Sequence, residues 1–174
     1  MTRVEKMQLL VIRHAIAETR EQFAASGQDD SLRPLTKEGR QKMANAAKGL
    51  RRIVGEIGLL AASPLTRAAQ TAAIVAREYD DIAPVTVEAL TPDASPESFA
   101  TWLRRQAAVE VVAVVGHEPH LGILVTWLLT GVAESRVPLR KGGACLIDFA
   151  RRPGKGGGTL DWVLTPSLLR RIAG

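Results

Sequence analysis

The sequence predicts an α/β fold built on an open, mostly parallel sheet, and three observations carry that prediction. Three short aliphatic runs, Leu9-Leu10-Val11-Ile12, Leu59-Leu60-Ala61-Ala62 and Val111-Val112-Ala113-Val114-Val115, show no polar alternation, the pattern of strands buried on both faces. Stretches with helical spacing separate the runs. Each run also ends in, or leads into, a basic or imidazole residue: Arg13-His14 after the first, Ser63-Pro64-Leu65-Thr66-Arg67 after the second, Gly116-His117 after the third. In an open parallel sheet the carboxyl ends of the strands face one crevice. Two arginines and two histidines should therefore meet there.

The elements follow in order. Residues 1–6 form a polar start, residues 9–12 the first strand, and 17–32 a long polar loop with room for a short helix. Thr36 can cap a helix on which Met43, Ala46, Ala47, Leu50, Ile53 and Ile57 recur at helical spacing, to about Glu56. The second strand is expected over 57–62. Ser63-Pro64 reads as a helix start, with Ser as N-cap and Pro at the first position. The helix would run to about Tyr79 and place Arg67 in its first turn, beside the free amides and positive dipole end. A short strand at 85–87 precedes a second Ser-Pro start at Ser95-Pro96, whose helix carries Phe99, Trp102 and Leu103. After the strand at 111–115, Pro119 opens a helix so apolar that several sides must be packed. A basic loop over 133–142 leads to a hairpin, residues 143–150 and 159–164, around the tip Arg151-Arg152-Pro153-Gly154-Lys155-Gly156-Gly157-Gly158. The tip glycines do not match the order G-x-x-x-x-G-K-[ST], and no helix follows them directly. Pro166–Ile172 forms a terminal helix.

Length and composition narrow the classes. A chain of 174 residues fits one domain spanning 1–174 and can bury a real core. Aromatics are only 4%, so that core must be mainly Ala, Leu, Val and Ile. The single cysteine, Cys145, excludes an internal disulfide and lies in an apolar run, as a small core residue would. No signal peptide is visible, and the longest apolar segment, Leu121 to Val132, is too short for a bilayer span, so a cytoplasmic protein is expected. The net charge of +5 is uneven: residues 133–174 hold 8 Lys/Arg against 3 Asp/Glu, and the remainder balances. A solvated surface accounts for this, or else a basic rim (Arg136, Arg140, Lys141, Arg151, Arg152, Lys155) steers an anionic substrate or acidic partner domain. Nucleic acid is not expected, because no aromatics interleave with these charges.

The convergence of two guanidiniums and two imidazoles is chemistry for a phosphoryl group. Its transfer spreads charge over equatorial oxygens, and catalysis is mostly positioning and electrostatics. Arg13 and Arg67 supply permanent charge on a planar fork of donors. His14, emerging directly from the first strand, is the candidate nucleophile. It must be neutral at the attacking nitrogen, with the other nitrogen held as a donor. His117 would face it and donate to a non-bridging oxygen. Singly, a strand-end histidine is more often structural. The joint arrival of these residues at three strand ends, in a chain with three histidines, makes the case. The third, His120 in His117-Glu118-Pro119-His120, fits supporting structure. A zinc helix needs H-E-x-x-H, so no metal site is expected.

With these residues in place, the pattern Arg13-His14, Ser63-Pro64-Leu65-Thr66-Arg67-Ala68-Ala69-Gln70-Thr71 and Gly116-His117 resembles the histidine phosphatase superfamily, with its phosphoglycerate-mutase-like fold. Asp30-Ser31-Leu32-Arg33-Pro34-Leu35-Thr36 with Gly39, and Leu90-Thr91-Pro92, are similar to its SixA branch of phosphohistidine phosphatases. The resemblance implies a three-layer α/β/α sandwich, His14 as the phosphorylated nucleophile, a phosphate pocket of Arg13, Arg67 and His117, and no cofactor or metal. By position it adds Arg33 to the pocket rim. It offers two candidates for the general acid: Glu88, where the larger mutases keep theirs, and Glu118, which follows His117 as an Asp does in related acid phosphatases. Ala15 departs from the glycine the family usually has after Arg-His.

Three functional readings stay open at this level. The first is hydrolysis of protein phosphohistidine, as on a histidine phosphotransfer domain, through phosphoryl-His14. The second is a small-molecule phosphomonoesterase on the same scaffold, and the third a phosphohistidine carrier or phospho-binding module. A mutase lacks room for its insertions. The sequence does not name the substrate or the oligomeric state.

Overall fold

The first strand forms at Met7–Arg13 (β1) in the computed structural model, which describes residues 6–174. The polar start expected at residues 1–6 lies outside the described residues except for Lys6, which is exposed. The chain continues through α1 (Arg20–Ala24), a 3₁₀ turn at Asp30–Leu32, α2 (Lys37–Ile53), β2 (Leu59–Ala62), α3 (Thr66–Glu78) and β3 (Val85–Thr86). A second 3₁₀ turn (Glu88–Leu90), α4 (Pro96–Arg104), β4 (Val111–Gly116), α5 (His120–Thr130), the antiparallel pair β5 (Ala144–Phe149) and β6 (Thr159–Leu164), and α6 (Pro166–Ala173) complete it.

The sheet order is β3-β2-β4-β1-β5-β6. β1, β2, β3 and β4 are mutually parallel, and β5 and β6 add an antiparallel edge. Alternate residues of β1 go to opposite faces. Leu10 and Ile12 join Met43, Ala47 and Leu50 of α2, Ala72 and Val75 of α3, and Leu169 of α6. Leu9 and Val11 join Phe99 and Leu103 of α4 and Leu121, Leu124 and Leu128 of α5. The result is the three-layer α/β/α arrangement expected, with β1 at its centre, as uninterrupted aliphatic strands require. Cys145 lies in the second core, where burial pushes its thiol up to about 12. Eight of the eleven residues of α5 are buried, as a helix apolar all round must be, and Gly131 in a left-handed conformation ends it. Among the described residues no helix is long and apolar enough to cross a membrane.

Several boundaries differ from expectation: the second strand, expected over 57–62, starts only at Leu59. α2 stops at Ile53, because Val54 turns out of helical geometry (φ −122°, ψ 89°) before Gly55. Ile57, which prolonged the helical spacing, packs on the same core from the connecting segment. α3 begins at Thr66 rather than at Ser63-Pro64, and Leu65 stands at its N-cap without a side-chain bond. Ser63 is occupied elsewhere, as described below. The second Ser-Pro signal behaves as read: Ser95 Oγ accepts from the Ser98 amide, and Pro96 is the first residue of α4.

The α2–α6 contact depends on one glycine. A Cβ at Gly49 would lie 2.0 Å from the Leu169 carbonyl oxygen, so the two backbones meet with no space for a methyl group. Gly49→Ala should cost about 3 kcal/mol, lowering Tm by roughly 6–12 °C in a thermal melt, with an unchanged sheet signal by circular dichroism.

Candidate active site

Strand register brings the two histidines together. Arg13 of β1 pairs in parallel with Gly116 of β4, so the next residue on each strand, His14 and His117, leaves the sheet side by side. The His14 amide donates to the Gly116 carbonyl at 3.0 Å, and the ring centroids are 5.3 Å apart. β2 delivers Ser63 alongside, its amide bonded to the Val115 carbonyl. A cavity of about 430 Å³ opens over these strand ends, lined by Arg13, His14, Arg33, Arg67, His117 and Glu118, with Glu18, Arg20 and Lys141 among its other polar walls.

The hydrogen bonds of the two rings define their protonation. His14 Nδ1 lies 2.7 Å from the Ala15 carbonyl, which can only accept, so the proton sits on Nδ1 and Nε2 keeps its lone pair. Burial, with the Arg67, Arg13 and Arg33 charges adding to it, pushes the His14 pKa down to about 4, against the opposing pull of that carbonyl. His117 Nε2 lies 2.8 Å from Ser63 Oγ, which itself accepts from the Leu65 amide at 3.4 Å. When the Ser63 hydroxyl donates to Nε2, the ring proton sits on Nδ1, the nitrogen that has no protein partner among the described residues. Burial above all, with the Arg67 and Arg13 charges adding to it, holds His117 near 3, so it too is neutral.

The motif around Arg67 is a set of struts. Arg67, Gln70 and Thr71 lie on one side of α3, at spacings of three and four. Thr71 Oγ1 donates to the Arg67 carbonyl (2.7 Å) and accepts from the Ala15 amide (3.0 Å), tying α3 to the segment that carries His14. Gln70 Oε1 accepts from the Leu35 amide and fixes the loop after Arg33. Asp30 spans two cations, 2.8 Å from Arg33 Nε and 3.4 Å from Arg67 Nη1, while its carbonyl accepts from Arg67 at 3.1 Å. Arg33 is buried and also donates to the Glu18 carbonyl. Arg13 is anchored through Nη1 to the Leu139 carbonyl (2.9 Å). Burial lowers the Arg13 and Arg67 pKa values from the usual arginine range. Arg13 Nε, Arg67 Nε and His117 Nδ1 are buried with no protein acceptor among the described residues.

The remaining candidates separate. Glu88 is exposed on its 3₁₀ turn and does not line the cavity. Glu118 does line it, but both its oxygens are engaged: Oε1 accepts from the Leu139 amide at 2.8 Å and Oε2 from the Gly122 amide at 3.2 Å. It straps the start of α5 to the loop before β5. His120 is buried behind the site and does not line the cavity. Ala15 is buried, its φ is not positive, and it lines a neighbouring cleft rather than this cavity, so the methyl group is accommodated outside the pocket. Among the described residues no group of three or more His, Cys, Asp or Glu is placed to hold a metal ion. Of the basic rim, Arg136 pairs with Glu134, and Arg151, Arg152 and Lys155 sit at the hairpin tip. β5 runs antiparallel to β1, with Phe149 opposite Met7, so that tip lies at the far edge of the sheet from the site. Only Arg140 and Lys141 lie near His14.

Sequence reasoning missed Asp30 as a bridge and Ser63 as the partner of His117. Asp30-x-x-Arg33 is an ion-pair spacing and could have been found. The Ser63 contact crosses strands and leaves no local signal. If Ser63 sets the His117 tautomer, Ser63→Ala should lower kcat about tenfold with KM little changed. The His117 ring should also move from one tautomer to a mixture, seen in nitrogen chemical shifts. An unchanged ring spectrum would remove the serine from this role.

A mostly parallel α/β sheet that gathers two imidazoles and the guanidiniums of Arg13, Arg33 and Arg67 around one hollow at its carboxyl edge is an arrangement suited to a phosphoryl group. The family model for the histidine phosphatase superfamily (branch 1) matches residues 9–91. An uncharacterized protein of Picosynechococcus sp. is 33% identical over 139 residues, 79% of this chain and 82% of that one. The solved structure of the protein histidine phosphatase SixA complexed with tungstate superposes with a TM-score of 0.81 at 26% identity, covering 94% of this chain and 99% of that one. The alpha-ribazole phosphatase from Shigella flexneri shares the fold at a TM-score of 0.72 and 19% identity, over 92% and 97% of the two chains. The chain belongs to the histidine phosphatase superfamily and is of the SixA type in structure. It is a phosphatase of that superfamily.

Proposed function

We propose that the chain hydrolyses phosphohistidine on a protein, such as a histidine phosphotransfer domain, by way of phosphoryl-His14. The observation that carries this is the neutral His14 ring, Nδ1 bound to the Ala15 carbonyl and Nε2 free, standing 5.3 Å from His117 beside the guanidiniums of Arg13, Arg33 and Arg67. In the first step His14 Nε2 bonds to phosphorus as the P–N bond of the substrate breaks. An imidazole already protonated on its other nitrogen leaves as a neutral ring. In the second step a water oxygen bonds to phosphorus, the Nε2–P bond breaks and its electron pair returns to Nε2, while the water proton passes to a phosphate oxygen, so that dihydrogen phosphate leaves and His14 is again neutral with its proton on Nδ1. Arg13, Arg67, Arg33 and the Nδ1–H of His117 neutralise charge on the equatorial oxygens throughout.

The preference for a phosphoramidate rests on the missing acid. Glu88 stands away from the cavity, and the Glu118 oxygens are committed to two amides. An alkoxide leaving group needs a proton donor, whereas a protonated imidazole does not. A small-molecule phosphatase is the second reading. It draws support from Glu18, which is among the residues lining the cavity and has no ion pair among the described residues. A panel of a phosphohistidine protein, free phosphohistidine, p-nitrophenyl phosphate and alkyl phosphates separates the two. Faster turnover of alkyl esters than of phosphohistidine protein would favour the second.

The pH dependence follows from the His14 environment. Its folded pKa of about 4 lies below the ordinary 6.5, so the ring is neutral throughout the physiological range. It gains a proton only as pH falls through about 4. kcat/KM, corrected for substrate ionisation, should stay flat down to about pH 5 and then fall up to tenfold per unit below about 4. A limb centred near 6.5 would show a solvated, unshifted histidine.

A further inference from the structure

A second cavity, about 340 Å³, adjoins the first: Lys141 lines both, and Ala15 and Ile16, which follow His14 in the chain, form part of its wall. Its floor is apolar and small, with Gly39, Met43 and Ala46 from α2. Its rim is cationic, with Lys42 from α2, Arg140 and Lys141 from the loop before β5, and Arg170 from α6, and no carboxylate lines it. Lys42 meets Glu38 one helical turn away at the exposed surface. Arg140, Lys141 and Arg170 have no carboxylate partner among the described residues, although Arg170 is half-buried.

We propose that this cleft is a second anion subsite. It would seat an acidic side-chain cluster of the same protein whose phosphohistidine enters the His14 pocket. The inference rests on the phosphohistidine reading and deepens it by naming the partner's surface chemistry. These four cations come from three separate elements. They match several carboxylates on separate side chains, whose aliphatic stems would lie on the Ala46 and Met43 floor. Such complementarity acts on encounter and register and is screened by salt.

The test uses the full chain and two P–N substrates. One is a phosphorylated histidine phosphotransfer domain with Asp or Glu within a turn of its phosphohistidine, and the other is free phosphohistidine. In Lys42→Glu/Arg140→Glu/Arg170→Glu, kcat/KM for the domain should fall about tenfold or more, through KM. Its decline between about 50 and 300 mM salt should also flatten. Free phosphohistidine should be hydrolysed at the wild-type rate, which also reports an intact fold. The double variant Lys42→Glu/Arg140→Glu leaves α6 untouched and should show the same split with a smaller loss. Equal loss on both substrates by the double variant, or no loss on the domain, overturns the subsite alone. A wild-type chain that hydrolyses free phosphohistidine or phosphate esters but never the domain overturns both this inference and the protein-phosphohistidine reading.

Discussion

His14→Ala should abolish turnover, with a loss on the order of 10⁴-fold or more, and leave the fold intact. The reason is geometric. Among the three histidines, His14 has its Nδ1 fixed on a backbone carbonyl at 2.7 Å, which leaves Nε2 as the ring's nucleophilic lone pair. His117 has its Nε2 on Ser63, and His120 is buried away from the cavity. Rapid quench with ³²P-labelled substrate should trap acid-labile, base-stable phosphate on wild-type protein, mapping to the peptide that holds His14, and none on the variant. Because the residue truncated sits at a strand end rather than within the sheet core, the thermal melt should shift little. Retained activity in His14→Ala would falsify the nucleophile assignment.

Arg67→Ala should be the next most damaging change, lowering kcat by about 10³-fold, with Arg67→Lys recovering only part of that. Arg67 is buried at the first turn of α3, and Asp30 and its own helix hold it in place before any substrate arrives. Truncation removes a positioned guanidinium from the transition-state charge and leaves Asp30 facing Arg33 alone. The net charge of the cavity becomes less positive as well as less ordered. A lysine restores the charge without the planar fork. The comparison of single-turnover phosphorylation rates for the two variants measures the share due to geometry. Equal rates for Arg67→Ala and wild type would place the guanidinium outside the reaction.

Much of this arrangement was legible in the residue pattern because it lies on strands. The aliphatic run 9–12 admits one reading, a doubly buried strand, and the residues after it must leave the sheet where its parallel neighbours also end. That logic located Arg13, His14, Arg67 and His117, whereas the bracing of Arg67 and its neighbours by Gln70 and Thr71 is visible only in the structure. The helix-start reading of Ser63-Pro64 went astray for a physical reason. A serine before proline is a good cap, but a buried imidazole at 2.8 Å offers its hydroxyl a better-protected partner, and the helix begins three residues later. The basic rim was read from charge alone, which has no periodicity. The antiparallel turn of β5 carries Arg151, Arg152 and Lys155 to the opposite edge, while α2 and α6 contribute Lys42 and Arg170, which no run of charges had singled out.

By itself, then, the order of residues determined the layered sheet and the four groups at its carboxyl edge. Apolar runs are driven inside by burial, and the alternation of side chains along a strand sends successive residues into the two cores on either side of the sheet. Tertiary structure alone decided which carboxylates count. It brought Asp30 between two arginines, tied Glu118 to backbone amides, left Glu88 in solvent and opened the cationic cleft beside His14. Those outcomes depend on how long loops close across the molecule, where each contact is set by distant backbone rather than by any repeat in the chain.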